Sequence, residues 1–456
     1  MIKLTLKFKL AVIGLSMGII IPVMAYELAS YPSTPFNASW TQDLGKPVFP
    51  NWMGSIVENG TFFYLGSYDQ NFSPYHEKVP LVIDAINVAD GHYSWIDNFT
   101  VINPGFSFYG TSGGIVNTMP HIYWHHGKLL LISYVLGYGA GNQVSKFRNI
   151  SLLILDFNPG NGEIIGSHVF NSTQLSPTAP FVVNGDSVIG YSFQQQGLIY
   201  YRNGVQTSTF LACVYALNLT TWKYWNQTFY IQGGPSFSIL TAKATGNTLA
   251  ILGYGIMHGN GYPGNTTFMG FNISSGQHTW NYTSQGNIEG FWATGNEFYF
   301  LNSSEGNFNL ESIYSSTGKF SGSFGVAGKN ISLVQGVILS LNNGVYSAIS
   351  TQGKIMWTLG HSFSVPISST SSIFGITNGY AVISVIGSHY HYFVVNLTSG
   401  KIAWNRIYYP LASLYGQGGI PADPIAFGDG FAIFSMASPK GNLSILAVNV
   451  VHLGLS

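Results

Sequence analysis

The sequence predicts an all-β protein folded as a single β-propeller of eight four-stranded blades, and three observations predict it. First, a phrase of a small polar residue, Gly, three residues and Trp recurs. It reads Asp90-Gly91-His92-Tyr93-Ser94-Trp95, Ser275-Gly276-Gln277-His278-Thr279-Trp280, Gln352-Gly353-Lys354-Ile355-Met356-Trp357 and Ser399-Gly400-Lys401-Ile402-Ala403-Trp404. A unit repeated every few dozen residues cannot bury its own apolar face, so its copies must stack. Second, β-rich runs and Gly turns flank each copy, with no helical period. Third, the two ends complete one another. The last copy stops at Ala447-Val448-Asn449-Val450-Val451, and Asn37-Ala38-Ser39-Trp40 supplies its missing Trp strand. A blade made from both ends closes a ring without exposed edges. Seven blades is the alternative count, if the weak copy near Gly318 merges with a neighbour.

In chain order, residues 1–25 read as a secretory signal. Lys3, Lys7 and Lys9 precede an apolar run from Leu10 to Ile21, and Val23-Met24-Ala25 resembles a small-residue cleavage site. The run is short against the roughly 20 residues that span a bilayer. Cleavage is therefore expected, leaving residues 26–456 as one propeller domain without a membrane span, at the cell surface or in a pseudo-periplasmic space. Three weaker copies follow the first. Asp156 to Gly166 carries Gly162 but no Trp, Asn218 to Trp225 has Trp222 where Gly belongs, and Ser316 to Phe320 lacks the Trp. Cys213 is the single cysteine, which excludes an intramolecular disulfide and a Cys-rich zinc site. Its apolar setting, Phe210 to Tyr215, predicts a buried, inert thiol. The clearest copy runs from Tyr380 to Trp404, with a turn at Gly387-Ser388-His389.

These phrases, above all Asn396-Leu397-Thr398-Ser399-Gly400-Lys401-Ile402-Ala403-Trp404, resemble the repeat of quinoprotein-type (PQQ-like) β-propellers. The resemblance covers the mature chain and implies the fold; such folds host unrelated activities. Quinoprotein dehydrogenases typically carry an adjacent Cys pair and a carboxylate-amide calcium site. Neither pattern is here, so no cofactor is expected. Tetrathionate hydrolases of acidophiles are similar in plan, being secreted quinoprotein-like propellers without a bound quinone. That likeness implies a source among acidophilic archaea and an acid-stable extracellular hydrolase as the alternative to a binding or scaffold protein.

Composition supports an acidic exterior. Asp, Glu, Lys and Arg make up 7% of the chain, against about 25% in ordinary soluble proteins. Having few charges limits the self-repulsion that drives acid unfolding. Fifteen Asn-X-Ser/Thr sequons are present, and Asn98, Asn218, Asn265, Asn272 and Asn396 are the glycosylation candidates. The formal charge balance is zero and no basic stripe is present, which excludes a nucleic-acid partner.

In a four-stranded blade, the connections from the second strand to the third, and from the last strand to the next blade, share one end of the ring. There the sequence places His76, Lys146, Arg148, Arg202, His258 and His389 on second-to-third loops, with Asp69, Glu77 and Lys78. It places Asp43, Lys46, Asp97, His168, Glu289, His361, Arg406 and Asp423 on blade-to-blade loops. Tyr68, Tyr75, Tyr138, Tyr200, Tyr201, Tyr262 and Tyr408 accompany them. The expectation is a polar, aromatic-rimmed axial funnel. His76, Lys146, Arg148, Arg202, His258, His389 and Arg406 would bind an anionic or sugar-like ligand there. Glu289 and Asp423 are the general acid-base candidates of the hydrolase reading. A cell-envelope protein is the expected macromolecular partner. No metal is expected: His125-His126-Gly127-Lys128 reads as a turn on the opposite face, and His389-Tyr390-His391 lacks a third ligand nearby. Gly110-Thr111-Ser112-Gly113-Gly114 is no phosphate loop, because no Lys-Ser/Thr and helix follow it.

Overall fold

Every blade begins with a hairpin whose turn is two residues long, and those turns set the register of the ring. Asn59-Gly60, His126-Gly127, Gln335-Gly336, Asn378-Gly379 and Asp429-Gly430 have positive φ at both positions. That is the primed geometry whose twist matches the flanking strands. Gly185-Asp186, Gly246-Asn247 and Gly295-Asn296 place positive φ on the glycine alone.

The computed structural model describes residues 39–47, 52–67, 78–102, 107–109, 115–117, 120–136, 150–172, 181–195, 200–202, 205–233, 239–254, 266–304, 307–326, 330–342, 345–359, 370–386, 390–408, 421–437 and 442–450. Within them stand eight blades, each with antiparallel strands A to D from the axis outward. In that order, blade 1 comprises Trp52–Glu58, Thr61–Gly66, Lys78–Asn87 and Tyr93–Ile102. Blade 2 comprises His121–His125, Lys128–Leu136, Ile150–Phe157 and Ile164–Ser172. Blade 3 comprises Val182–Asn184, Ser187–Gln195, Val205–Asn218 and Tyr224–Gly233. Blade 4 comprises Ile239–Thr245, Thr248–Tyr254, Thr266–Asn272 and His278–Ser284. Blade 5 comprises Asn287–Thr294, Glu297–Ser304, Asn307–Tyr314 and Phe320–Val326. Blade 6 comprises Asn330–Val334, Val337–Asn342, Val345–Ser350 and Ile355–Leu359. Blade 7 comprises Thr370–Thr377, Tyr380–Ile386, Tyr390–Asn396 and Ile402–Tyr408. Blade 8 takes Pro421–Gly428, Phe431–Ala437 and Asn442–Asn449 from the C-terminal end, and Trp40–Pro47 from the N-terminal end. The composite blade is as the ends of the sequence predict: Trp40 pairs with Ala447 and Thr41 with Leu446. The count is eight, so the weak copy near Gly318 is a blade of its own.

The middle strands read as unbroken apolar runs because both faces of a blade are covered by its neighbours. Phe62 to Leu65, Leu129 to Ile132, Leu249 to Leu252 and Phe298 to Leu301 are all buried. Eight apolar clusters result, each joining two neighbouring blades around the full circle. Outer strands meet solvent and alternate instead. Cys213 is buried in strand C of blade 3, and burial pushes its thiol up to about 11.

The repeated phrase is the clasp between blades. An Asn ends strand C in blades 1, 2, 3, 4 and 7, and its Oδ1 accepts backbone N–H bonds from the turn that follows: Asn87 from Ala89, Asn158 from Gly160, Asn218 from Thr220 and Thr221, Asn272 from Ser275, Asn396 from Thr398 and Ser399. The glycine four residues on turns the chain back with positive φ. Its bare Cα is covered by the aromatic ring of the preceding blade: Trp40 on Gly91, Trp95 on Gly162, Trp225 on Gly276, Trp280 on Gly318, Trp357 on Gly400. Each of these indoles also donates Nε1–H to the carbonyl one residue after the capping position. The acceptors are Val88, Pro159, Ile273, Ser315 and Leu397, at 2.5–2.8 Å. Opposite these indoles in strand C stand small residues, Ala85, Ala216, Gly270, Ala348 and, for Trp40, Ala447.

The weak copies keep the clasp with other parts. Phe324 covers Gly353. Between blades 2 and 3 the roles reverse. Trp222 takes the turn position at φ 56° and stacks on His168 of blade 2, with ring centroids 3.5 Å apart.

The clasp predicts a contrast between two glycines of nearly equal φ, Gly91 at 77° and Gly379 at 79°. A Cβ on Gly379 meets nothing within 4 Å, whereas one on Gly91 lies 2.6 Å from the Trp40 ring. Gly379→Ala should cost about 1 kcal/mol from the left-handed backbone alone. Gly91→Ala should cost roughly 3 kcal/mol because the ring must also move. Urea unfolding of the two variants measures the difference.

Candidate functional site

The ring has two unlike ends. The A–B and C–D turns of one end are short and bonded to each other, as Val88 N–H to Gly60 O, Leu219 N–H to Asp186 O and Leu397 N–H to Gly379 O show. The B–C and D–A connections issue from the other end, and every connection longer than six residues is among them.

Of the residues the sequence assigns to these connections, His76, Lys146, Arg148, His258 and His389 lie outside the described residues, as do Asp69, Glu77 and His361. Lys78 opens strand C of blade 1 and is exposed. Arg202 ends a short strand, Tyr200–Arg202, that pairs with the start of strand C in blade 3. Much of the insertion read as a loop is thus a hairpin extension of the blade. Asp43, Lys46, Asp97, His168, Glu289, Arg406 and Asp423, expected on loops between blades, all lie in strands. Asp97 stands opposite Ile83, His168 opposite Ile154 and Arg406 opposite Tyr392. Asp97 and His168 are half-buried, and the outer strands run past the repeated phrase with a polar composition that mimics a loop in sequence. Glu289 and Asp423 sit on the inner strands of blades 5 and 8, with blades 6 and 7 between them. Glu289 is exposed and accepts a hydrogen bond from Ser303 Oγ at 3.1 Å.

Beside Glu289, a buried polar joint links blades 4 and 5. Asn302 is buried, and its Nδ2 lies within hydrogen-bond reach of Ser284 Oγ (3.2 Å), Gln285 O (2.8 Å) and Glu311 Oε1 (2.8 Å). The sequon at Asn302 is thereby closed to modification in the folded chain. Among the glycosylation candidates, Asn98 is exposed on the outer strand of blade 1 and Asn265 lies outside the described residues. Asn218, Asn272 and Asn396 are the turn-capping asparagines, so the clasp itself accounts for Asn at these positions.

The turn end holds a cluster that spacing alone did not reveal. His125 ends strand A of blade 2, and His126 opens the turn that follows. The next turn around the axis brings Asp186, so that one ligand atom from each of the three lies within 4.8 Å of the others. His126 Nε2 is 2.7 Å and His125 Nε2 3.7 Å from Asp186 Oδ1, and the two imidazoles stand 4.4 Å apart. Burial holds His125 below the ordinary imidazole range, helped by the charge of His126 and opposed by Asp186. The hydrogen bond from His126 holds the Asp186 carboxyl below its ordinary range. Nearby, Lys128 Nζ reaches the buried Asp156 at 3.3 Å. The His125-His126 turn was legible in sequence. Asp186 was not, being 60 residues from His126; aligning the first hairpin turn of each blade is the signal that would have found it.

No family model and no curated protein matches the chain. Solved structures with a similar backbone include the Dos1 propeller, at a TM-score of 0.44 and 10% identity over 89% of this chain and 93% of that one. Sqt1 of Saccharomyces cerevisiae aligns at 0.43 and 9% identity, over 90% and 98%. The dihydro-heme d1 dehydrogenase NirN, in complex with DHE, aligns at 0.38 and 11% identity, over 81% and 78%.

Two groups on inner strands, His121 at the loop end of blade 2 and Glu58 at the turn end of blade 1, give acid stability opposite signs. His121, packed edge-on against Phe181, is held below 6.5 by burial. Its contribution is present above that value and lost as pH falls through the lower folded one. Glu58 is raised above 4.5 by burial and by the charge of Asp429. Its contribution is fully present below 4.5 and lost as pH rises through the folded value. His121→Phe should therefore flatten the loss of stability on acidification, and Glu58→Gln should steepen it. Urea unfolding across a pH series reads both slopes.

Proposed function

We propose that this chain is a secreted, N-glycosylated binding or scaffold propeller of the cell exterior, taking an anionic or sugar-like ligand at its loop end. The observation that carries the reading is the asymmetry of the ring. One end is committed to turns bonded to one another and clasped blade to blade. The other carries every long connection, on a frame that eight inter-blade clusters hold rigid. Binding surfaces concentrate on loops held by such frames. A chain with 7% charged residues has a surface of neutral hydrogen-bonding groups, which suits an acidic setting and recognition of sugars or small anions.

Calorimetric titration of the purified protein with acidic glycans and sulfur oxyanions, at acidic and neutral pH, tests the ligand. The expected outcome is saturable binding without turnover, weakened about tenfold in Arg202→Ala, the size of one charge-assisted hydrogen bond. Turnover of tetrathionate would replace this reading with the hydrolase one. An absence of both binding and turnover would leave a scaffold without a small ligand. Peptide mass mapping of the protein from its native host should find glycan on Asn98 and none on Asn302.

A further inference from the structure

We propose that His125, His126 and Asp186 form a binding site for a divalent transition-metal ion of the Zn2+ or Cu2+ type, bridging blades 2 and 3 at the turn end. The inference is independent of the loop-end ligand, which would sit at the opposite end of the ring. Two imidazoles and a carboxylate are the donor set that suits such ions and not Mg2+ or Ca2+, which take oxygen ligands. Ligand atoms about 2.0–2.1 Å from one ion stand roughly 3.3 Å from each other in a tetrahedron. The observed separations from Asp186 Oδ1, 2.7 Å to His126 and 3.7 Å to His125, bracket that value.

The three residues are held by backbone already committed elsewhere. Gly127, at φ 78°, fixes the turn that carries His126. Asp186 O accepts the Leu219 N–H at 2.6 Å, which ties its turn to the clasp of blade 3. The side chains of His126 and Asp186 are open to solvent, at 71% and 43% exposure, while His125 at 9% forms the floor. An ion would thus keep an open coordination position outward, as three-ligand sites do. Other junctions in the same ring of turns are joined by single bonds without imidazole. Asp429 accepts from Gly60 N, Asn184 donates to Gly246 O, and Thr245 to Gly295 O. Among the described residues, the charged groups facing the site besides its own members are Lys128 and Asp156, which pair with one another.

The test is calorimetric titration of chelator-treated, purified protein with Zn2+ at neutral pH, alongside thermal unfolding. The expected result is one saturable equivalent that raises Tm, since an ion bound across two blades stabilises the folded state alone. His126→Asn keeps a residue that tolerates the φ of 46°, and Asp186→Asn keeps the hydrogen-bonding shape. Each should weaken that equivalent at least tenfold, while Arg202→Ala leaves it unchanged. With Cu2+ as probe, nitrogen hyperfine structure from two imidazoles should fall to one in His126→Asn. Absence of a saturable equivalent in the parent protein, or an affinity in either site variant equal to the parent's, would overturn the proposal.

Discussion

One backbone position per blade carries the architecture: the residue just after the turn-capping position at the end of strand C. Its N–H is bound by the hairpin turn of its own blade, and its carbonyl by the indole of the blade before. Val88, Ile273, Ser315 and Leu397 each hold both bonds, so a blade cannot shift without breaking contact on two sides. A single such bond contributes about 1 kcal/mol net. The ring gains more from their repetition, because rigid blades turn seven described clasps into one continuous constraint running from blade 8 through blade 1 to blade 7. Trp222 and Phe324 show what the constraint demands. It requires an aromatic plane laid on a turn, and either side of the junction can supply it.

Most of the fold was legible because this clasp leaves a mark in sequence. Asn and Gly are dictated by the turn, Trp by the ring that must cover it, and their fixed spacing exposes the repeat. The complementary ends, Trp40 and Ala447, were legible for the same reason: each is half of one phrase. Less was legible wherever contact crosses from one blade to the next without a fixed spacing. Asp186 meets His125 and His126 only through the curvature of the ring. Asp97 and His168 read as loop because a solvent-facing outer strand and a loop share composition. The asparagines of the sequons at Asn218, Asn272 and Asn396 serve the turn, so their presence at that position follows from the repeat.

The charge-poor surface and the clasp belong together. A ring held by indole-carbonyl bonds, amide-capped turns and apolar clusters has few parts that protons can alter. His121 and Glu58 are exceptions, each half-buried on an inner strand, and they pull in opposite directions. The turn-end cluster is a third exception, and there titratable groups gather from two blades.

Joining the first strand to the last also fixes the order of assembly. The strand that begins at Trp40 leaves the ribosome early and finds its partner, Asn442–Asn449, only when nearly the whole chain exists. Until then Trp40–Pro47 has no partner strand, and such unpaired edges recruit other chains. Pairing across so great a sequence distance is slow. Chaperone attention during synthesis should therefore centre on the interval before this last seam zips. A truncation at either extremity should yield clumped material and not a smaller wheel.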